Sequence, residues 1–268
     1  MDNRPIGIFD SGLGGLTCVK KVMDIMPNED IIYFGDTGRV PYGTKSPETI
    51  VKYVRADINF LSAFDIKLII IACGTASSAA LPSINSEYET NIIGVLEPAA
   101  KLAVAVTKNN KVGVLGTSGT IKSGKYLEKI KALNPAVTVK SCACPMFVPI
   151  VENGYAKSEI AKIVTEEYLK PMKDAAVDTI ILGCTHYPLL TSVIREYMGD
   201  EVTLIDSGAT AADYALRVLE NTDMRAERDF GTARYYVSDT VHEFAELGSM
   251  FLDKKIEESV YKIDIEKY

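Results

Sequence analysis

The sequence predicts an α/β protein made of two similar doubly wound domains with mostly parallel sheets. Short apolar runs typical of buried strands alternate with helical segments along the chain. Two strand-and-loop patterns also occur twice: PIGIFDSG (5–12) is similar to KVGVLGTSG (111–119), and LIIIACGTAS (68–77) to IILGCTHYPLL (180–190). Because both pairs are separated by similar offsets, we infer an internal duplication with pseudo-twofold symmetry. It predicts an active-site cleft between the halves with one thiol from each side.

Composition excludes several classes of protein. The 268 residues are 47% hydrophobic and 24% charged, which is ordinary for a globular protein with a core. The net charge is −7 and no basic cluster stands out, so we expect no nucleic-acid partner. The apolar runs are too short to span a membrane, and the first residues lack a secretion signal. Five cysteines do not suggest a disulfide framework, which predicts a cytoplasmic protein with reduced thiols.

The first half begins with a strand over Ile6–Phe9 that ends in Asp10 and Ser11, before a glycine-rich turn and a helix. Asp10 has two interpretations, as a cap of that helix or as a functional carboxylate at a strand end. The next strand, Ile31–Gly35, is followed by an exposed loop that contains Pro41, Tyr42 and Gly43. Tyr42 and Gly43 offer a hydroxyl and an N–H group to a polar ligand, although a plain turn is an equal alternative.

Further elements follow in order. Ser46 and Pro47 predict the start of a helix that runs to about Phe64. After the Cys73 loop we expect the remaining elements of the first half and the crossover to the second: a helix from about Ser77, a strand over Asn91–Val95 and a helix over Ala99–Val106.

The second half repeats the arrangement with a strand over Lys111–Leu115. Thr117, Ser118 and Thr120 follow it as the counterparts of Asp10 and Ser11, and helix capping is their slightly favoured role. A strand over Val137–Ala143 carries Cys142 and leads to Cys144. This single C-x-C pair is a weak metal motif, so we interpret both cysteines as buried structural residues.

The region around the second cysteine completes the prediction. Glu152 ends an apolar segment and is either a surface carboxylate or a catalytic one. The strand over Thr179–Leu182 opens into Cys184, Thr185 and His186, at the strand end where α/β proteins bind ligands. The other predicted elements are helices over 158–172, 189–198, 209–220 and 240–251 and strands over 202–205 and 234–237, with His242 on a helix surface.

Two thiols that face each other across a small substrate suit one reaction. One sulfur removes a proton from carbon and the other returns a proton to the opposite face, which inverts the centre. A cysteine with its ordinary pKa near 8.5 needs activation by neighbours, and Asp10, Glu152 and His186 are candidates for this role. Hydroxyl and N–H groups at the strand ends would hold the carboxylates of a substrate. No motif calls for a cofactor or a metal.

Four blocks of the chain resemble the glutamate racemase family, a cofactor-independent group: FDSGLGGLT (9–17), GDTGRVPYG (35–43), ACGTAS (72–77) and GCTHYPLL (183–190). The resemblance implies that Cys73 and Cys184 are the two acid/base catalysts, each acting on one glutamate enantiomer, and that Glu152 assists. The implied substrate-binding residues are Asp10, Ser11, Pro41, Tyr42, Gly43, Gly74, Thr75, Thr117, Thr120, Thr185 and His186.

The resemblance also has implications for the whole protein. It implies that residues 1–96 and 206–268 form the first domain and residues 97–205 the second. It further implies a homodimer that supplies D-glutamate for peptidoglycan, and so for cell-wall biogenesis and cell shape.

One position departs from the family pattern. Gly74 follows Cys73 where the family usually has an asparagine. The missing amide would remove a contact with the substrate of about 0.5–1.5 kcal/mol, unless a water replaces it. Two alternatives therefore stay open: a racemase of aspartate or another amino acid, and an amino-acid-binding protein without turnover.

Overall fold

The computed structural model describes the backbone of residues 1–268 and every side chain except that of Met250. The described residues form two separate sheets in which all neighbouring strands are parallel. The first sheet has the strand order β10-β9-β2-β1-β3-β4 and the second has the order β6-β5-β7-β8. The strands are β1 (Ile6–Asp10), β2 (Ile31–Gly35), β3 (Leu68–Ile71), β4 (Asn91–Gly94), β5 (Lys111–Gly116), β6 (Thr138–Ala143), β7 (Thr179–Leu182), β8 (Thr203–Asp206), β9 (Ala233–Val237) and β10 (Val260–Lys262).

Helices connect the strands. They are α1 (Leu16–Ile25), α2 (Pro47–Ser62), α3 (Gly74–Ala79), α4 (Leu81–Ile84), α5 (Leu96–Val106), α6 (Ser118–Lys122), α7 (Lys125–Leu133), α8 (Phe147–Glu152), α9 (Glu159–Asp174), α10 (Thr191–Met198), α11 (Ser207–Asn221) and α12 (Val241–Leu252). In the described part of the chain no helix is both long enough and apolar enough to cross a membrane.

The strand order supports the predicted duplication. Strands β1 to β4 lie in the order 2-1-3-4, and strands β5 to β8 repeat that order as 6-5-7-8. In each sheet the first strand of the repeat is therefore central, between the second and the third. The loop after β1 or β5 and the cysteine loop after β3 or β7 are consequently neighbours at the carboxyl edge of their sheet. The predicted α/β class with mostly parallel sheets is confirmed.

Local sequence explains why these segments form these elements. The residues of β1, β2, β3 and β7 are all buried, as expected for parallel strands covered on both faces. The Ser46 hydroxyl accepts a hydrogen bond from the N–H group of Thr49, and Pro47 occupies the first position of α2. Ser158 caps α9 in the same way, through the N–H group of Ala161.

Several predicted boundaries were wrong. Helix α3 begins at Gly74 rather than near Ser77, because the Cys73 sulfur caps the helix by accepting a hydrogen bond from the N–H group of Ala76. Helix α5 begins at Leu96 instead of Ala99, with Pro98 in its first turn. The sequence analysis missed α4, α7, α8 and β10, which are short or have weak apolar patterns.

The end of the chain returns to the first sheet. Strand β9 pairs with β2, and β10 extends the sheet beyond β9. Helices α11 and α12 both pack against α1. Phe251, in the last turn of α12, also packs against the apolar cluster of the second sheet. The division at residues 96 and 206 stays a prediction.

Candidate active site

A cavity of about 400 Å³ lies between the carboxyl edges of the two sheets. Both cysteine loops line it, as the duplication predicts. The predicted site residues that line the cavity are Ser11, Pro41, Tyr42, Gly43, Cys73, Gly74, Thr75, Thr117, Glu152, Cys184, Thr185 and His186. Two others, Asp10 and Thr120, are buried and lie behind the lining residues.

Cys73 follows β3 and sits in a buried, hydroxyl-rich environment. Its sulfur accepts a hydrogen bond from the N–H group of Ala76 at 3.5 Å and lies 3.6 Å from the hydroxyl oxygen of Ser11. Burial raises the pKa of the Cys73 thiol to about 12, and the negative charge of Asp10 adds to this shift. The surroundings therefore favour the protonated thiol at neutral pH.

Cys184 follows β7 and has an imidazole as its neighbour. Its sulfur lies 3.9 Å from Nδ1 of His186, and Nε2 of the same ring lies 2.9 Å from Oε1 of Glu152. Burial alone lowers the pKa of His186, but hydrogen bonds with Cys184 and Glu152 outweigh it and raise the pKa to about 10. His186 is therefore a cation at neutral pH, held between a sulfur and a carboxylate.

Asp10 connects the two halves from behind the cavity. Its carboxylate accepts a hydrogen bond from the N–H group of Gly12 at 3.1 Å, and the Thr185 hydroxyl lies 3.5 Å from its other oxygen. Burial raises the pKa of this carboxyl group, although the charge of His186 opposes the shift. Asp10 does not cap α1, because the N-cap position is Gly15, which has no side chain to accept a hydrogen bond.

Three hydroxyls form a small network across the two halves. The Thr75 hydroxyl lies 2.8 Å from that of Thr117 and 3.3 Å from that of Thr120, and the latter two are 3.0 Å apart. Thr117 also caps α6, since its hydroxyl accepts a hydrogen bond from the N–H group of Thr120. The expected capping role of Thr117 is thus confirmed, while the same hydroxyl lines the cavity.

The loop after β2 reaches the cavity through Pro41, Tyr42 and Gly43. The Tyr42 hydroxyl, which the sequence suggested as a group for a polar ligand, is bonded inside the protein. It donates to Asp36 at 2.5 Å and lies 3.0 Å from Asp57. Both carboxylates are fully buried and also bind the Arg39 guanidinium. Tyr42 therefore anchors its loop, since its hydroxyl bonds to two buried carboxylates.

Sequence reasoning missed several residues around the cavity. Cys144 is buried as predicted, whereas the prediction for Cys142 was wrong, since it is only half-buried. Cys144 also lines the cavity, together with Val148 and Pro149 of α8. The ring of Phe251 meets the His186 ring edge to face, with centroids 6.2 Å apart. The apolar segment around Glu152 was a usable signal for α8, but no local signal connects residue 251 with residue 186. Among the described residues, no group of three or more His, Cys, Asp or Glu side chains could hold a metal ion.

Comparison with known proteins places this geometry in a family. The model of the Asp/Glu/Hydantoin racemase family matches residues 16–215, which is more than half of the chain. The chain belongs to this family. It is similar to the glutamate racemase of Geobacter metallireducens, with 46% identity over 264 residues that cover 98% of this chain and 97% of that protein.

Solved structures of glutamate racemases are similar to this fold. The glutamate racemase isoform RacE1 from Bacillus anthracis superposes with a TM-score of 0.95, at 35% identity over 98% of both chains. The glutamate racemase from Francisella tularensis, solved in complex with D-glutamate, gives a TM-score of 0.93 at 38% identity over 100% of both chains.

Proposed function

We propose that this chain is a glutamate racemase, an isomerase that interconverts L- and D-glutamate by a two-cysteine mechanism without an added cofactor. The observation that carries the proposal is the position of Cys73 and Cys184, at equivalent places in two repeats and in one shared cavity. The names of the similar proteins supply the substrate, since they are glutamate racemases that match nearly the whole chain.

The proposed reaction is a proton exchange at the α-carbon of glutamate. A thiolate on one side removes the α-proton, so that the C–H bond breaks, an S–H bond forms and the electron pair stays on carbon. The thiol on the opposite side then gives its proton to that carbon and becomes the thiolate. The centre is inverted and the net protonation of the enzyme is unchanged. The reverse reaction starts from the other enantiomer with the two sulfurs in exchanged roles.

The two sulfurs have different electrostatic surroundings before substrate binds. The cationic His186 lies beside the Cys184 sulfur and attracts a negative charge there, while Glu152 holds the imidazolium in place. On the other side, burial and the nearby Asp10 keep the proton on Cys73. Before substrate binds, we therefore expect Cys73 to be the proton donor.

Substrate carboxylates would be held by uncharged donors. His186 is the single basic side chain among the described residues that line the cavity. Hydroxyl groups of Ser11, Thr75, Thr117 and Thr185, with N–H groups of the glycine-containing loops, are available as hydrogen-bond donors. Such donors bind an anionic substrate without adding a large fixed charge that would hold the product.

The test is proton NMR of L-glutamate in D2O with the purified protein, combined with optical rotation. We expect the α-proton signal and the rotation to decay together. L-aspartate is the matched comparison substrate, because it has the same groups on a shorter chain. Exchange on aspartate alone would reject glutamate as the substrate, and no exchange on either would indicate a binding protein.

Three wider features complete the proposal. D-glutamate made by this enzyme would enter peptidoglycan synthesis and so support the cell wall and cell shape. The location would be the cytoplasm, where thiols stay reduced. The active form would be a homodimer, for which the family resemblance is the support.

A further inference from the structure

Gly74 lies where the two cysteine loops touch. It is the first residue of α3, directly after Cys73, and its backbone is in a region that any L-residue adopts. The backbone conformation therefore does not require a glycine here, but the lack of space for a side chain does. A Cβ atom on residue 74 would overlap the carbonyl oxygen of Gly183, far inside the 3.0 Å that real Cβ atoms keep from their neighbours. Gly183 is the residue directly before Cys184.

Gly183 is held in this contact from its other side. Its N–H group donates a hydrogen bond to the carbonyl oxygen of Leu115 at 2.8 Å. Its own Cα is packed so closely that a Cβ there would lie 2.7 Å from that oxygen and 3.1 Å from the ring of Tyr126. Because the interior is close-packed, a side chain at residue 74 can be accommodated only if one cysteine loop moves away from the other by roughly 1 Å.

Glycines make two further contacts between the halves. A Cβ on Gly14 would overlap the side chains of Thr185 and His186. A Cβ on Gly119 would lie 3.0 Å from the carbonyl oxygen of Gly43. Gly14 and Gly43 belong to the blocks shared with the family, whereas Gly74 replaces the usual asparagine. The contact at residue 74 is therefore the one of these three that does not rest on a glycine of the shared blocks.

We propose that Gly74 is a positioning residue that sets the separation of Cys73 and Cys184 by allowing backbone contact between their loops. The inference rests on the proposed function, and it replaces the view of Gly74 as a lost substrate contact. The two views make opposite predictions. If only a contact is missing, an asparagine at residue 74 restores it and improves binding. If the contact sets the geometry, every side chain separates the sulfurs and slows proton transfer.

The kinetic test compares Gly74→Ala and Gly74→Asn with the wild type. We expect kcat to fall on the order of 10²-fold for Gly74→Ala with both enantiomers, because an error of about 1 Å in the placement of reacting groups has this effect. KM should change less than kcat, and Gly74→Asn should be slower than Gly74→Ala. The control is Gly38→Ala, an exposed position where the nearest atom to an added Cβ would be the Ser238 hydroxyl oxygen at 3.3 Å. Its kcat should stay within about twofold of the wild type.

A second readout needs no turnover. Bifunctional thiol reagents of graded length link Cys73 to Cys184, and mass spectrometry of the linked peptides identifies the pair. We expect the best-yielding reagent to be longer for both Gly74 variants than for the wild type and Gly38→Ala. This result would stand even if the wild type did not racemise glutamate, so failure of the proposed function is separable from failure of this inference.

Three outcomes would overturn the inference: a Gly74→Asn variant at least as active as the wild type, an unchanged dependence on reagent length, or a Gly74→Ala variant that does not fold. Circular dichroism and thermal unfolding of each variant check the last of these. A folded, slow Gly74→Ala variant that needs a longer reagent supports it.

Discussion

The two cysteines occupy equivalent positions in the two repeats, but their surroundings differ. Cys73 is surrounded by a hydroxyl and a backbone N–H group, with the buried Asp10 nearby. Cys184 lies beside an imidazole whose other nitrogen binds a carboxylate. The duplicated fold places both sulfurs, while side chains that differ between the two repeats determine the charge beside each. A symmetric scaffold thus carries an asymmetric pair of acid/base groups.

The equilibrium between the enantiomers restricts how this asymmetry can appear in kcat and KM. The equilibrium constant between two enantiomers in an achiral solvent is unity, so kcat/KM must be the same in both directions whatever the surroundings of the two sulfurs. The difference between the two sides can therefore appear only as compensating changes in kcat and KM. Substitutions on one side should change the kcat values for the two enantiomers unequally.

The largest effect is expected from removal of either sulfur. Cys73→Ala and Cys184→Ala should each reduce racemisation on the order of 10²–10⁴-fold, because each removes a proton donor or acceptor that both directions need. Optical rotation with each enantiomer measures the loss. Cys142→Ala is the matched control, since Cys142 is only half-buried and does not line the cavity. Retained racemisation in either active-site variant would reject the two-sulfur mechanism.

A smaller effect is expected from Glu152→Gln, which removes the charge that holds the His186 imidazolium. The Glu152 side chain is 44% exposed, so solvent screens the pair, and we expect kcat to fall about threefold to tenfold. The two enantiomers should be affected unequally, because the change is confined to the Cys184 side. The exposed Glu166→Gln on α9 is the control. Equal loss of kcat for both enantiomers would contradict the one-sided role of Glu152.

An NMR titration of the His186 ring directly tests whether it is charged beside Cys184. The chain has two histidines, so a His242→Ala background leaves one imidazole signal for NMR. This signal should titrate near pH 10 instead of near 6.5, because Cys184 and Glu152 bind the protonated ring. In Glu152→Gln the midpoint should move toward 6.5. A midpoint near 6.5 in the unsubstituted site would show that the ring is neutral.

The same pKa has a consequence for stability. A folded-state pKa above the unfolded value means that the folded protein binds the proton more tightly. The contribution of His186 to the free energy of unfolding is therefore present in full below pH 6.5 and is lost as the pH rises through about 10. The difference in unfolding free energy between the wild type and His186→Asn should shrink over that range.

The smallest effect on catalysis is expected in the loop after β2. Tyr42→Phe removes the hydroxyl that bonds to Asp36 and Asp57, leaving buried carboxylates with fewer donors. We expect a loss of about 1–3 kcal/mol in the free energy of unfolding, with a modest rise in KM and little change in kcat. Urea unfolding and steady-state kinetics measure both. The control is Tyr53→Phe on α2, because the Tyr53 ring packs against that of Tyr42. A large fall in kcat with unchanged stability would instead indicate that the hydroxyl contacts the substrate.

Local sequence patterns were enough to predict many of the strands and the position of the two cysteine loops. Buried apolar runs located β2 and β7 with their observed bounds. The repeated strand and cysteine motifs predicted two thiols at one cleft, which the parallel topology then brings together. These signals are readable because strand burial and strand-end loops depend on neighbours in sequence.

Other features depended on contacts that no local pattern encodes. The hydrogen bond between His186 and Glu152 joins residues 34 positions apart, and the ring contact between His186 and Phe251 joins residues 65 positions apart (251 − 186). The Tyr42 hydroxyl bonds to Asp36 and Asp57, two buried carboxylates that also bind Arg39.

The sequence by itself determined which groups carry the chemistry, because the paired motifs place a thiol after a buried strand in each repeat. Only the tertiary structure decided how those groups are charged and how closely they approach. Both properties depend on burial and packing between distant segments. The protonated ring of His186 is stabilised by two partners from different segments, and Gly74 leaves room for the carbonyl of Gly183 across the cleft.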